Sequence, residues 1–123
     1  MTHSPPTRHP AFAHELAELK RSDSAEVKAI EHAIVVLQTM GPRVGFPHTS
    51  AVRTSSQFAL RELRPRRGRS RHRVLFTTRG GRCILLALAP EANHRPRAFR
   101  QSVLDAHRRI MEFDMESADD VCN

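Results

Sequence analysis

The sequence contains no tryptophan and no tyrosine, and phenylalanine, with six residues among 123, is its only large aromatic. A hydrophobic core must therefore be built mainly from Leu, Val, Ile and Ala. No apolar run approaches the roughly 20 residues of a transmembrane helix, and the first residues lack the apolar stretch of a secretory signal peptide. We therefore expect a cytoplasmic protein with no membrane partner, folded as a single domain.

Cysteine is also scarce, with Cys83 inside an apolar run and Cys122 in an acidic segment. Two cysteines placed in this way do not form the disulfide framework of a small secreted protein, which fits a reducing compartment. The histidines and cysteines show no paired spacing of the kind that binds zinc. We therefore expect neither a metal nor another cofactor.

Lysine is rare as well: the chain has two lysines and 18 arginines, and its formal net charge is +7. The charge is unevenly spread, with a net −1 over residues 1–40, +13 over residues 41–111 and −5 over residues 112–123. Arginine presents a rigid fork that pairs with phosphate through two hydrogen bonds and stacks on bases. Such a cluster favours RNA, DNA or an acidic protein surface as partner, although a basic composition also occurs for solubility alone.

The distribution of proline and charge divides the chain into three parts. Residues 1–11 contain three prolines and predict a flexible N-terminal arm. Residues 12–111 form the single domain, and residues 112–123 form an acidic tail that we expect to fray. Within the domain, apolar spacing predicts a helical hairpin over residues 12–40 and a final helix over residues 96–111.

The centre of the domain has the pattern of a β-meander. Two apolar runs, residues 74–76 and 84–88, flank a Gly-Gly turn, which supplies positive φ at no steric cost and predicts a hairpin. Leu60 and Leu63 mark a third strand, joined to the hairpin by the arginine-rich loop 65–71. We therefore predict an α+β fold with an antiparallel sheet of three or four strands, which has one aliphatic face and one cationic face.

Three motifs in a fixed order carry a family resemblance: GPRVGFPH at residues 41–48, LRELR at residues 60–64 and RVLF at residues 73–76. With them the chain resembles the RelE superfamily of bacterial toxins over residues 12–111, and within it the HigB branch and its phage-derived relatives. The resemblance implies a twisted antiparallel sheet packed against helices. It also implies the toxin of a toxin–antitoxin pair, which cleaves messenger RNA in the ribosomal A site beside ribosomal RNA and is silenced by a cognate antitoxin of the helix-turn-helix type.

Two regions depart from the family pattern. Relatives begin with a strand before the first helix, whereas the proline-rich residues 1–11 predict none, because proline cannot donate to a strand ladder. Either the sheet lacks this strand or the start of the chain is altered, and an open edge is expected to be covered by an antitoxin segment. Relatives also carry Tyr or His in the C-terminal helix, and the equivalent here is Phe99, which can stack on a base but cannot move a proton.

Four residues are candidates for metal-independent RNA cleavage, in which a 2′-hydroxyl attacks the adjacent phosphorus. The resemblance assigns Arg73 as the transition-state arginine, and strand alternation directs it away from a core that contains Val74. His94 and His107 are the candidates for proton transfer, and Arg95 adjoins the first of them. The plainer interpretations are a surface salt bridge for Arg73 and surface histidines without a function for His94 and His107.

Six further residues are candidates for binding RNA or phosphate, with an ordinary solvated surface as the alternative. They are Arg61, Arg64, Arg66, Arg67, Arg97 and Phe99. A rival hypothesis keeps these residues without catalysis: a degenerate toxin-like protein that binds RNA or its antitoxin through the same basic surface.

Overall fold

The computed structural model describes residues 3–53 and 59–122, with side chains described as far as residue 117. These residues contain three α-helices, five strands and a short 3-10 turn at Pro65–Gly68. In chain order the helices and strands are β1 (Thr7–Arg8), α1 (Pro10–Ser22), α2 (Ser24–Met40), β2 (Thr49–Ala51), β3 (Arg61–Leu63), β4 (His72–Arg79), β5 (Arg82–Pro90) and α3 (Pro96–Cys122). The predicted α+β class is confirmed, as are the helical hairpin and the C-terminal helix.

The sheet has five strands in the order β1-β5-β4-β3-β2. Neighbouring strands are antiparallel except β1, which runs parallel to β5. The three predicted strands form the centre of the sheet, and β1 and β2 are additional edge strands. Because β1 has only two residues and β2 lies in a segment rich in Gly, Pro and Ser, neither shows a strand pattern in the sequence. The predicted sheet of three or four antiparallel strands is thus corrected to a mixed sheet of five.

Strand β1 lies where the sequence predicted no strand, so that prediction was wrong. Thr7 pairs with Ile84 and Arg8 pairs with Leu85, and the N–H of His9 donates to the Leu85 carbonyl at 2.9 Å. The prolines of this region lie before and after the paired residues, which therefore keep the N–H groups that a ladder needs. The chain itself covers part of the edge of β5.

The helical hairpin packs on one face of the sheet. Helix α1 buries Phe12 and Leu16, and α2 buries a stripe of aliphatic residues on the side that faces the strands. Between the helices, the Oδ1 of Asp23 accepts the N–H of Glu26 at 3.1 Å, which satisfies one of the open donors at the start of α2. Helix α2 ends at Gly41, whose φ is 90°.

Both faces of the central strands are buried, so the predicted cationic face of the sheet was wrong. Val74 and Phe76 lie in the core beneath α1 and α2, whereas Leu75, Ile84 and Leu86 lie in a second core beneath α3. Helix α3 covers this second face with Phe99, Val103, Ala106 and Ile110. The two long strands are nearly continuous apolar runs, and that pattern is typical of strands covered on both faces. The arginines are therefore confined to loops and strand ends.

A β-bulge interrupts the alternation of β5. Leu75 pairs with Ala87, but the next residue, Phe76, pairs with Leu85, which leaves Leu86 as an extra residue. A residue added in this way changes which backbone groups face the neighbouring strand and which face the open edge.

An ion pair covers the edge of β5 beyond β1. Arg109 of α3 donates to the Leu86 carbonyl at 2.8 Å and to the two carboxylate oxygens of Glu15 at 2.9 and 3.1 Å. Glu15 of α1 also accepts the N–H of Leu88 at 3.1 Å. The pair satisfies two backbone groups of the sheet edge and joins α3 to α1.

Helix α3 continues to Cys122, through the acidic segment that the sequence predicted as a frayed tail. The carboxylate of Asp114 accepts hydrogen bonds from Arg79 at 3.2 and 3.3 Å, which connects this part of the helix to the end of β4. Met111, on the same helix, is 52% exposed. Among the described residues, no helix combines the length and the apolar character that crossing a membrane requires.

Candidate functional site

The arginine loop, residues 64–71, connects β3 to β4 and carries five arginines. Arg66, Arg67 and Gly68 have successive φ values of 54°, 56° and 93°. The left-handed region costs a non-glycine residue roughly 1–2 kcal/mol, so the surrounding structure must hold the loop in this shape. A Cβ at Gly68 would also meet the guanidinium of Arg64, which would then have to shift.

Arg73 holds the loop from inside. It is only 3% exposed, and its guanidinium donates to the carbonyls of Ser70, His72 and Gly68 at 2.7, 3.0 and 3.1 Å. Burial lowers the pKa of Arg73, and the charge of Glu62 partly opposes that effect. The strand alternation was predicted correctly, since Arg73 and Val74 face opposite sides of β4. On that side Arg73 is buried rather than part of a cationic surface, because its guanidinium lies against the arginine loop and donates to the loop carbonyls.

Glu62 organises the arginines at the base of the loop. Its Oε1 lies 3.4 Å from Nη1 of Arg64 and 3.8 Å from Nε of Arg73, and it accepts the hydroxyl of Ser50 at 2.9 Å. Arg64 also donates from Nε to the Pro47 carbonyl at 3.2 Å. Arg64 is thus held at a fixed place beside the loop rather than free in solvent.

Two other arginines predicted to bind RNA are partly engaged within the protein. Arg61 donates to the buried hydroxyl of Thr49 at 2.8 Å, and Nη1 of Arg66 lies 3.6 Å from the buried carboxylate of Glu26. Arg67, by contrast, is exposed and has no side-chain partner within the described residues. Of these three, Arg67 is the one whose guanidinium is not engaged by another described residue.

The loop and the β5–α3 connection line an open cavity of about 480 Å³, which we call the site cavity. Its lining residues are Arg64, Gly68, Arg69, Ser70, Arg71, Arg73, Glu91, Asn93 and His94. Two of the four predicted catalytic residues, Arg73 and His94, therefore meet here, together with one predicted RNA-binding residue, Arg64. Arg69 and Arg71 are exposed beside them.

Glu91 fixes the turn that presents His94. The carboxylate of Glu91 accepts the backbone N–H of Asn93 at 3.0 Å and that of His94 at 2.9 Å. These two hydrogen bonds, the first more strongly, lower the pKa of Glu91, and the nearby charge of Arg73 acts in the same direction. Glu91 is therefore an ionised carboxylate at neutral pH, and the side chain of His94 remains exposed at the mouth of the cavity.

The other predicted site residues lie elsewhere. Arg95 and Arg97 line a separate, shallow cavity of about 300 Å³ at the start of α3. His107 lies about 16 Å farther along the axis of α3 than Pro96 and does not line the site cavity. Phe99 is 6% exposed within the second core, so its predicted role in stacking on a base was wrong.

Sequence reasoning missed Glu91, Arg69 and Arg71. The arginine loop was recognised as a whole, but loop residues follow no period, so nothing in the sequence separated these two arginines from their neighbours. A signal for Glu91 did exist: the five residues between β5 and α3 must turn, and their backbone N–H groups need acceptors. Among the described residues, no three His, Cys, Asp or Glu side chains converge as metal ligands would.

A family model described as "Phage derived protein Gp49-like (DUF891)" matches residues 17–90. The chain belongs to this Gp49-like family. The Gp49-like family is associated with RelE-like toxins of toxin–antitoxin systems, so the broader part of the predicted resemblance is confirmed. No curated protein and no solved structure matches the sequence. The segment matched to the Gp49-like family contains the arginine loop and Arg73, whereas His94 and α3 lie beyond it.

Proposed function

We propose that this Gp49-like protein is the toxin of a type II toxin–antitoxin system of the HigB branch, and that it cleaves messenger RNA on the ribosome. Its family is associated with RelE-like toxins, which supports a toxin and an antitoxin partner. The observation that supports RNA cleavage is the site cavity, where four arginines and an exposed histidine lie together. An electropositive recess with one proton carrier suits a phosphodiester and needs no metal.

In the proposed reaction, a 2′-hydroxyl attacks the adjacent phosphorus, forming the P–O2′ bond as the P–O5′ bond breaks. Two protons move in this step, one leaving the 2′-hydroxyl and one reaching the departing O5′; His94 carries one of them and water carries the other. Arg69 and Arg71, whose guanidinium groups are exposed, bind the phosphate oxygens as negative charge develops. Glu91 acts as a positioning residue for His94, because both of its carboxylate oxygens are occupied by backbone N–H groups.

Arg73 has a positioning role in this mechanism. Its guanidinium donates to two carbonyls of the arginine loop and to the carbonyl of His72, and it places a fixed positive charge at the floor of the site cavity. Arg61, Arg95 and Arg97 extend the basic surface and would contact messenger RNA or ribosomal RNA around the A site. Silencing would require a cognate antitoxin, which we propose to be of the helix-turn-helix type.

A second candidate function is a non-catalytic protein that binds RNA or an antitoxin through the same surface. Two observations favour it: Arg73 is committed to the loop, and Phe99 is buried where relatives carry a Tyr or His. The two candidates make opposite predictions for RNA ends. An enzyme produces new 5′ ends on messenger RNA, whereas a binder leaves the RNA intact.

Induced expression in a bacterial host, followed by mapping of RNA 5′ ends, tests the proposal. We expect growth arrest and new 5′ ends within translated messages, and in a purified translation system we expect His94→Ala to slow cleavage by about 10²–10⁴-fold. His14→Ala is the matched control, because His14 is exposed on α1 and lies outside the site cavity. Wild-type protein that binds RNA but generates no new ends would support the non-catalytic candidate.

A further inference from the structure

We propose that the protein binds RNA at a second place, a cavity on the α2 side of the arginine loop. This cavity holds one nucleotide of the RNA strand, next to the part of the RNA that lies in the site cavity. This inference rests on the proposed function insofar as RNA is the partner. The cavity, which we call the α2 cavity, has a volume of about 490 Å³. That volume lies within the range of small-ligand sites, roughly 300–1,000 Å³.

The lining of the α2 cavity matches the two parts of a nucleotide. Ala33 and Val36 of α2 and Leu63 of β3 give it an apolar floor, against which the faces of a base can pack. Arg67 and Arg69 lie at its rim and supply forks for phosphate oxygens. A cavity with an apolar floor and a cationic rim favours a molecule that joins a flat ring to a phosphate over a simple inorganic anion.

The two cavities are neighbours that share two lining residues. Arg64 and Arg69 line both the site cavity and the α2 cavity, so they stand at the boundary between the two. An RNA strand whose scissile phosphate lies in the site cavity would pass these two arginines and reach the α2 cavity next. The left-handed backbone at Arg66 and Arg67 keeps the loop turned toward this side, where Arg66 lies 3.6 Å from Glu26 of α2.

An exposed aromatic ring stands beside the shared arginine. Phe46 is 74% exposed, and the guanidinium of Arg64 lies 5.0 Å from the centre of its ring. Exposed aromatic and arginine planes are the surfaces on which single-stranded RNA stacks its bases. The stacking role that the sequence assigned to Phe99 is therefore better placed at Phe46, and His48, two residues farther along, lines the α2 cavity.

A protein partner fits the α2 cavity less well. A stable protein interface buries about 800 Å² on each partner over a broad surface, whereas the α2 cavity is a small, half-open recess beside a strongly basic loop. The matching of one base and one phosphate accounts for both the apolar floor and the arginine rim, so we commit to a nucleotide of an RNA strand as the occupant.

Binding of a fluorescently labelled single-stranded RNA of about 12 nucleotides, followed by anisotropy, tests this inference with the full chain. Val36→Asp places a charge on the floor and Arg67→Ala removes a rim fork. We expect each to raise the Kd about tenfold, which corresponds to about 1.4 kcal/mol. The matched controls are Val35→Asp, at a position 56% exposed and outside the cavity, and Arg21→Ala on α1, and both should stay within about twofold of wild type.

Cleavage kinetics separate this inference from the proposed function. If the wild type cleaves RNA, we expect Val36→Asp and Arg67→Ala to raise the KM while kcat changes less than about twofold. Arg67→Ala keeps the test decisive should Val36→Asp unfold, because Arg67 is exposed and has no described partner.

Three results would overturn the second site. One is unchanged RNA affinity in both cavity variants while wild type still cleaves, which leaves the proposed function standing. Another is displacement of the labelled RNA by adenosine monophosphate at comparable concentration, which would indicate a site for free nucleotides. The third is a wild type that neither binds nor cleaves RNA, which would remove both proposals together.

Discussion

Replacement of Arg73 by alanine distinguishes a clamp on the arginine loop from a surface cation. Arg73→Ala removes three hydrogen bonds, to the carbonyls of Gly68, Ser70 and His72. It also removes a positive charge 3.8 Å from the carboxylate of Glu62. Because these bonds hold a loop with consecutive left-handed residues, we expect the loop to relax when they are lost.

The magnitude follows from the number and kind of bonds. A hydrogen bond to a charged group contributes about 1.5–3 kcal/mol, but the three bonds share one side chain and are not additive. Water can also enter the site cavity and hydrate some of the freed carbonyls. We therefore expect a loss of about 2–4 kcal/mol in the free energy of unfolding, which lowers Tm by roughly 8–15 °C for a domain of this size.

Urea unfolding monitored by circular dichroism measures this loss. The matched control is Arg71→Ala on the same loop, since Arg71 is exposed and has no side-chain partner within the described part of the chain. We expect Arg71→Ala to change stability by less than about 0.5 kcal/mol while weakening RNA binding or cleavage. Arg73→Lys should fall between the two, because it keeps the charge but loses the fork that reaches three carbonyls.

Equal stability of the Arg73→Ala and Arg71→Ala variants would refute the clamp. If Arg73→Ala unfolded at the wild-type urea concentration and lost only RNA cleavage, Arg73 would act directly on the substrate, as the sequence first suggested.

Two other predictions concern stability. Arg109→Ala should lower the free energy of unfolding by about 2–4 kcal/mol, because it leaves the half-buried carboxylate of Glu15 without its positive partner and the Leu86 carbonyl without its donor. Arg108→Ala, at an exposed neighbour, should change it by less than about 0.5 kcal/mol, and equal thermal midpoints would contradict this account. Arg8 lowers the pKa of Glu31, so the contribution of this pair is present at neutral pH and is lost as the pH falls through the lowered pKa. Between about pH 5 and pH 3, the free energy of unfolding of Glu31→Gln should therefore fall less than that of wild type. The difference should be under about 1 kcal/mol, because both side chains are partly exposed. A larger fall in the variant than in wild type would contradict the stabilising effect that we assign to the ionised pair.

Periodic patterns in the sequence predicted the parts of the fold that depend on local structure. The helical hairpin, the Gly80-Gly81 turn and the start of α3 at Pro96 all appear where the sequence indicated. Helix periodicity and the need for positive φ at a tight turn are properties of a few neighbouring residues. They can therefore be predicted from the sequence without knowledge of the fold.

The sequence predicted only some of the residues of the candidate site. The resemblance assigned Arg73, and the chemistry of histidine suggested His94, and both line the site cavity. The resemblance could not tell that Arg73 is buried, because its exposure depends on how α3 and the loop pack over β4. Nor could it separate Phe99 from Phe46, since both are single phenylalanines and only packing buries one and exposes the other.

By itself, then, the sequence determined the class of the fold, the concentration of positive charge between residues 41 and 111, and the arginine loop as its centre. Only the tertiary structure decided that the sheet is covered on both faces and that the loop separates two cavities. The physical reason is the separation along the chain between the residues that interact. Charge and helix period are set by nearby residues, whereas burial depends on partners far apart in the chain, as Glu15 and Arg109 are.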